Sequence, residues 1–313
     1  NKVYIFMAPI KGDVMREYKM FAAGRVIAAV VVSLAVIWVF NAFLEILSKP
    51  PRAEALQGIA AGKSKPGVAL ARATIQTLDF EVNGRFWGWR PNDILNFTDN
   101  MNNYQLGVLE VTRKTAKVFM ETLTPKSREA DYEPLLAKAS TALMVSPERY
   151  WFPSPESKYN QAFNAMDAYA RNLEEGKAPF FNRANNLIVL LNSYLEMVED
   201  CDDKLVSAEE AGKVPVRRTQ ADNLVYYAKG IATALVPILE AVEKDFDNVI
   251  ALRKDKSALS KAIAAARRAA EIDPIVVTES GLSGVFANHR ANMAAPFTHL
   301  RLYLATLIKE VSS

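Results

Sequence analysis

Hydrophobic residues follow two different patterns along this chain. Between residues 26 and 44 the sequence VIAAVVVSLAVIWVFNAFL carries no charge and only two polar interruptions, Ser33 and Asn41. A helix of this length spans about 28 Å, close to the hydrocarbon thickness of a bilayer, so a transmembrane helix is predicted. Helices of soluble cores are seldom apolar on every face over five turns. A cleaved signal peptide has a shorter apolar region, about 7–15 residues, followed by small residues at its cleavage site. This run is longer and ends on Trp38, Phe40 and Phe43, residues suited to a membrane interface.

Beyond the run the pattern becomes periodic. Residues 45–67 contain Pro50, Pro51, Gly58, Gly62, Pro66 and Gly67 among small and charged residues, which reads as a tether. Tyr159, Phe163, Met166, Ala170 and Leu173 then share one helical face, as do Leu187, Leu191, Tyr194, Val198, Cys201 and Leu205. Leu224, Ala228, Ile231, Leu235, Ile238, Val242, Phe246 and Val249 form the clearest stripe, and Phe297, Leu300, Leu304, Leu307 and Val311 the last. Such spacing puts apolar side chains on one stripe with charges opposite, so these helices must pack on one another. Two more helices are expected, at 103–123 and 127–143, and a kink is expected at Pro237. Short strand-like pieces lie at 75–82 and 274–277. The fold class is therefore all-α: one N-terminal transmembrane helix followed by an antiparallel helical-bundle domain outside the cytoplasm. Pro/Gly loops interrupt the segments before four strict heptads accumulate, which favours a bundle within one chain over an intermolecular coiled coil.

Charge sets the orientation. Residues 1–25 hold Lys2, Lys11, Arg16, Lys19 and Arg25 against Asp13 and Glu17, and this +3 equals the formal net charge of the whole 313-residue chain. Basic flanks stay on the cytoplasmic side. The expected organisation is a cytoplasmic tail at 1–25, the span at 26–44, the tether at 45–67 and a periplasmic bundle at 68–313. Gly24 with Ala28, and Ala29 with Ser33, have the spacing that lets helices pack closely in lipid. The mean hydropathy of −0.01 thus averages two unlike parts. One cysteine, Cys201, excludes an intrachain disulfide and Cys-based metal sites. The balanced charge argues against nucleic acid as a partner.

Candidate chemistry is sparse. His289 and His299 have no second ligand at zinc spacing, and neither a phosphate-binding glycine loop nor a nucleophile elbow is present. No cofactor is therefore expected. The acidic run Glu199, Asp200, Asp202 and Asp203 lacks the glycine of a calcium loop and reads as a solvated helix face. Glu279-Ser280 is similar to the Glu-Ser motif of lytic transglycosylases, in which one glutamate acts as general acid and base. The downstream Gly-Leu-Met-Gln element of that family is missing, and Pro274 to Val277 stands where its helix would be. The densest unusual segment contains Trp87, Trp89, Asn92, Asp93, Asp99, Asn103 and Tyr104, and Tyr150 and Trp151 form a second aromatic loop. Aromatic faces beside amides suit a glycan or a partner protein, while the same residues also suit a capped loop docked into the bundle.

The order of an N-terminal span, Gly88-Trp89-x-Pro91-Asn92-Asp93, Asp99-Asn100-Met101-x-Asn103-Tyr104-Gln105-Leu106-Gly107 and Gly284-Val285-Phe286-Ala287-Asn288-His289 resembles a bacterial family called domain of unknown function 2333. The resemblance covers most of the chain and implies an inner-membrane protein of Gram-negative bacteria. It supplies no catalytic residues. The sequence is read as a membrane-anchored periplasmic binding or scaffolding protein, an accessory or assembly component of a larger inner-membrane or envelope complex, without catalysis of its own. Its expected partners are the lipid bilayer, other membrane or periplasmic proteins, and further copies of itself. The alternatives are a peptidoglycan-acting enzyme using Glu279 and a helical ligand sensor signalling through a partner.

Overall fold

The computed structural model describes residues 12–47, 64–93, 100–124, 132–210, 218–252, 257–272 and 289–313. Among these residues there are ten α-helices and no strand, the all-α class that the periodicity predicts. The chain divides into two units, 1–49 and 50–313.

The first unit is built on α1 (Gly12–Leu47). Its helix begins well before the apolar run, so the second half of the predicted tail is continuous with the predicted span, and residues 45–47 of the predicted tether also belong to it. Its most apolar stretch is Ala22–Phe40, with mean hydropathy 2.3, and every side chain there is exposed. Gly24, Ala28, Ala29 and Ser33 lie on this uncovered surface. Each Å² of apolar surface left in water costs about 25 cal/mol, so a helix of this kind needs an apolar cover.

The second unit contains α2 (Val68–Asp79), α3 (Asn100–Val118), α4 (Pro134–Leu143), α5 (Pro155–Glu175), α6 (Ala184–Glu210), α7 (Arg218–Asp245), α8 (Asp247–Ile250), α9 (Ser257–Glu271) and α10 (His289–Ser312). α2 and α3 each end in a π-helical turn, Phe80–Gly84 and Phe119–Leu123. The strand-like piece at 75–82 is therefore helix. Its Thr74, Thr77 and Leu78 are buried where α2 packs on α3, α5 and α7, and that burial outweighs the β-branched composition. The predicted piece at 274–277 lies outside the described residues. α4 starts later than the expected 127 because Glu133 caps it, accepting from the Leu136 amide at 2.8 Å, and Pro134 takes the first helical position. Residues 127–131 lie outside the described residues.

α7 is the axis of the bundle, with α2, α3, α6, α9 and α10 packed around it. Residues 228–239 are all buried, so the face opposite the predicted stripe is covered too, including Lys229, Gly230, Thr233 and Pro237. The helix continues through Pro237 from Arg218 to Asp245. Its segment Asn223–Asp245 is long and apolar enough to cross a membrane, but 83% of it is buried inside the bundle, as befits a core helix.

Two glycines permit this burial. A Cβ on Gly107 of α3 would lie 3.0 Å from the Ile231 amide nitrogen and closer still to the Tyr227 carbonyl oxygen. A Cβ on Gly230 of α7 would lie 2.9 Å from the Tyr104 carbonyl carbon and 3.1 Å from the Val108 amide nitrogen. Real Cβ atoms do not approach backbone so closely, so the two helices cross with their backbones in contact because both positions lack one.

A second long-range tie fixes α2. Gly67, at φ 91°, occupies its N-cap position and has no side chain to offer. Asp245, at the far end of α7, fills that role by accepting from the backbone of Leu70 at 2.7 Å and of Gly67. Burial pushes its carboxyl up to about 6 despite those two hydrogen bonds.

Two outcomes follow for the full chain in detergent. Gly107→Ala and Gly230→Ala each lower stability by about 3 kcal/mol in urea titrations followed by circular dichroism, although alanine favours an isolated helix. Gly24→Ala, whose added Cβ meets nothing within 4 Å, leaves the midpoint unchanged. For Asp245 the folded value lies above the ordinary 3.8, so its contribution is full below pH 4 and is lost as pH rises through about 6. The stability of the wild type relative to Asp245→Asn falls by about 3 kcal/mol between pH 3 and pH 7, read from paired unfolding curves.

Candidate functional site

Two loops meet beside α5. The first, residues 85–93, leaves the π turn after α2; the second, residues 144–154, joins α4 to α5. The Trp89 indole ties them together by donating to the Pro147 carbonyl at 2.9 Å while its ring stands edge-on to Tyr159 at 5.1 Å. Asn92 adds a second link, donating to Glu156 at 3.0 Å. From α3, Arg113 holds the start of the second loop by donating to the carbonyls of Leu143 at 2.8 Å and Val145 at 2.7 Å. That loop ends in a cis Phe152–Pro153 peptide and the N-cap Ser154, which accepts from the Ser157 amide at 3.3 Å.

The first loop rests on a buried polar cluster. Glu81, fully buried in the π turn, is paired with Arg85 through both carboxylate oxygens. The Arg85 guanidinium lies over the rings of Phe80 and Tyr104, 5.5 and 5.8 Å from their centroids. Gln105 of α3 joins this pair to the loop. Its amide donates to Glu81 Oε2 at 3.2 Å and to the Gly88 carbonyl at 3.0 Å, and its oxygen accepts from the Arg90 amide at 2.9 Å. Burial raises the Glu81 carboxyl above its usual range, opposed by Arg85. Glu81 reaches no cleft, so its role is to hold the loop rather than to transfer protons.

Outside this cluster the loops enclose an open cleft of about 760 Å³, lined by Trp87, Asn92, Asp93, Tyr150, Phe152, Ser154 and Glu156. Trp87 is oriented by its indole N–H, which donates to Asp93 at 3.2 Å. Arg90, buried behind the lining, meets the same Asp93 oxygen at 3.4 Å. Burial raises the Asp93 carboxyl above its usual range, Arg90 works against that rise, and the charge of Glu156 adds to it. The rim is strongly apolar: Phe86 is 83% exposed, Trp151 75% and Phe152 90%.

The structure divides the predicted surface residues. Trp87, Asn92, Asp93 and Tyr150 line the cleft, and Trp151 stands edge-on to Tyr150 at 5.2 Å. Trp89 and Tyr104, read together with them, belong instead to the core, at 3% and 0% exposure. The split between Trp87 and Trp89 reflects their two-residue separation across a turn at Gly88, which sends the rings to opposite sides. Asn103 is half-buried on α3. Asp99 and Glu279 lie outside the described residues. Phe152, part of the same aromatic loop, also lines the cleft, and Gln105 of the amide-rich segment lies beneath it, whereas sequence reading missed Ser154 and Glu156 in the lining and Glu81 and Arg85 below. The proline-flanked Ser154 at the start of α5 was the available signal for Ser154 and Glu156.

The acidic run is not simply a solvated face. Arg301 of α10 lies 3.2 Å from Glu199, 3.5 Å from Asp202 and 3.3 Å from Asp203, while Thr298 donates to the buried Asp202 at 2.9 Å. The run therefore helps to seat α10 on α6. Beside it Cys201 is buried, and desolvation pushes its thiol up to about 12. Among the described residues no group of three His, Cys, Asp or Glu side chains is placed to hold a metal ion.

Gln105→Leu removes the partners of the Arg90 amide and the Gly88 carbonyl together. The expected cost is about 2 kcal/mol, with faster hydrogen exchange confined to peptides covering 85–93, measured by mass spectrometry on the full chain.

No curated protein and no solved structure matches the chain. The family model described as an uncharacterized protein conserved in bacteria (DUF2333) matches residues 14–208 and 198–300. These two segments take in α1, both loops of the cleft and the α3–α7 crossing, and the chain belongs to this bacterial family.

Proposed function

We propose that this protein is a membrane-anchored binding and scaffolding component of the bacterial inner membrane. In this reading α1 crosses the bilayer with the N-terminus in the cytoplasm, and the bundle works in the periplasm as an accessory part of a larger complex. The reading of α1 is supported by the charge-free run that begins at Val26, whose side chains are exposed through Phe40 among the described residues, and by the basic excess of the first 25 residues. The observation that carries the binding role is an exposed aromatic group: Trp87, Tyr150 and Phe152 line one cleft above a buried polar scaffold, and Phe86 and Trp151 pack against Trp87 and Tyr150. Monomeric soluble proteins rarely leave so large an apolar patch open to water, and a rigidly mounted one serves as an interface. Aromatic anchors of this kind supply most of the binding energy at protein contacts.

The test is purification of the full chain from its native membrane in mild detergent, with mass measurement of the intact particle. The wild type is expected to bring a stoichiometric protein partner. The double variant Trp87→Ala/Trp151→Ala is expected to lose it without a change in thermal midpoint, because neither ring belongs to the core. A monodisperse monomer from the wild type contradicts the reading.

A further inference from the structure

The hydrogen-bonding capacity of the cleft is lopsided. Both nitrogen donors on its wall are engaged within the wall itself, the Trp87 indole donating to Asp93 and the Asn92 amide to Glu156, which leaves the Tyr150 and Ser154 hydroxyls as its neutral donors. The acceptors are left over. Glu156 Oε2 is buried and has no partner among the described residues, and Asp93 presents a second carboxylate to the same space. Among the described residues no lysine, arginine or histidine lines the cleft; Arg90 lies behind Asp93, is 2% exposed and keeps its Nη1 buried within the wall. The remaining lining is aromatic, from Trp87, Tyr150 and Phe152.

An occupant must therefore supply hydrogen-bond donors and positive charge, and must carry carbon surface for the rings. Neutral sugars meet only the first and last of these needs. Anions meet neither of the first two. We infer that the cleft receives the ammonium or guanidinium end of a lysine or arginine side chain from a partner protein. Aromatic faces and carboxylates are the two groups that stabilise such cations, and both improve as water is displaced. Glu156 adds to the upward shift of the Asp93 carboxyl, so the two charges repel in the empty cleft, and a cation between them removes that repulsion. A protein side chain is favoured over a free cation because the apolar rim continues beyond the cleft through Phe86 and Trp151. A small cation would leave that rim uncovered.

The inference rests on the reading of the cleft as the partner-binding surface, and its test separates the two. The full chain in dodecyl maltoside is titrated with acetyl-Gly-Lys-Gly-amide, with its arginine and norleucine counterparts, and with putrescine, using saturation-transfer NMR up to about 10 mM. The lysine and arginine peptides are expected to bind at least about tenfold more tightly than norleucine. Glu156→Gln, which keeps shape and removes charge, and Tyr150→Leu, which keeps apolar area and removes the ring face, are each expected to erase most of that preference. Both variants should keep the wild-type helical circular dichroism and a cooperative thermal transition, since glutamine retains an acceptor for Asn92 and Tyr150 is exposed. Equal binding of lysine and norleucine peptides, no binding of any peptide, or a lysine preference that persists in both variants overturns the inference. Tighter binding of putrescine than of either cationic peptide overturns the protein source. In each case the binding surface itself still stands if Trp87→Ala/Trp151→Ala abolishes co-purification, and falls if it does not.

Discussion

The crossing of α3 and α7 at Gly107 and Gly230 sets the position of everything the cleft requires. Backbone contact at these two glycines draws α3 onto the helix that forms the centre of the bundle. Gln105 lies two residues before Gly107, so the crossing fixes its height along α3. Gln105 in turn holds Glu81, the Gly88 carbonyl and the Arg90 amide, and thereby the loop that carries Trp87 and Asp93. The other end of α7 repeats the device: Asp245 caps α2, the helix from which the same loop leaves. One helix thus determines both where the loop begins and what it rests on.

This arrangement explains why a polar cluster lies so deep. An unpaired buried charge costs several kcal/mol, yet Glu81 and Arg85 neutralise each other, and the Arg85 guanidinium also lies over two aromatic faces. Such a cluster has one low-energy arrangement, whereas a greasy contact tolerates several. Elsewhere in the bundle, Arg301 seats α10 on α6 through three carboxylates, of which Asp203 is largely and Glu199 partly exposed to solvent, and that contact contributes orientation more than energy.

Much of the architecture is legible along the chain because it is local. The charge-free run and the four stripes depend only on spacing, and α1, α5, α6, α7 and α10 follow from them. What spacing does not encode is how closely two helices approach. Gly230 reads as a mild defect in a helix until Tyr104 is seen against it. Lys229 and Thr233 read as a solvent face of α7, and only the helices packed on that side bury them. The acidic run needed Arg301, about a hundred residues away, to become an interface. The aromatic segment was legible as important but not as divided: the turn at Gly88 sends Trp89 into the core and leaves Trp87 on the cleft. Glu156 gave no signal of its own, because a glutamate in the first turn of a helix is ordinary capping chemistry.

In the proposed topology the bundle and its aromatic cleft lie outside the cytoplasm. The lone cysteine makes this directly measurable, since Cys201 is buried with its thiol pushed up to about 12 and is thus a poor nucleophile. Tyr150→Cys, at an exposed position on the cleft, then provides the reactive thiol of the chain. Treatment of intact spheroplasts with a membrane-impermeant maleimide is expected to label Tyr150→Cys and to leave the wild type unlabelled. Labelling of Tyr150→Cys only after the membrane is broken would contradict the account.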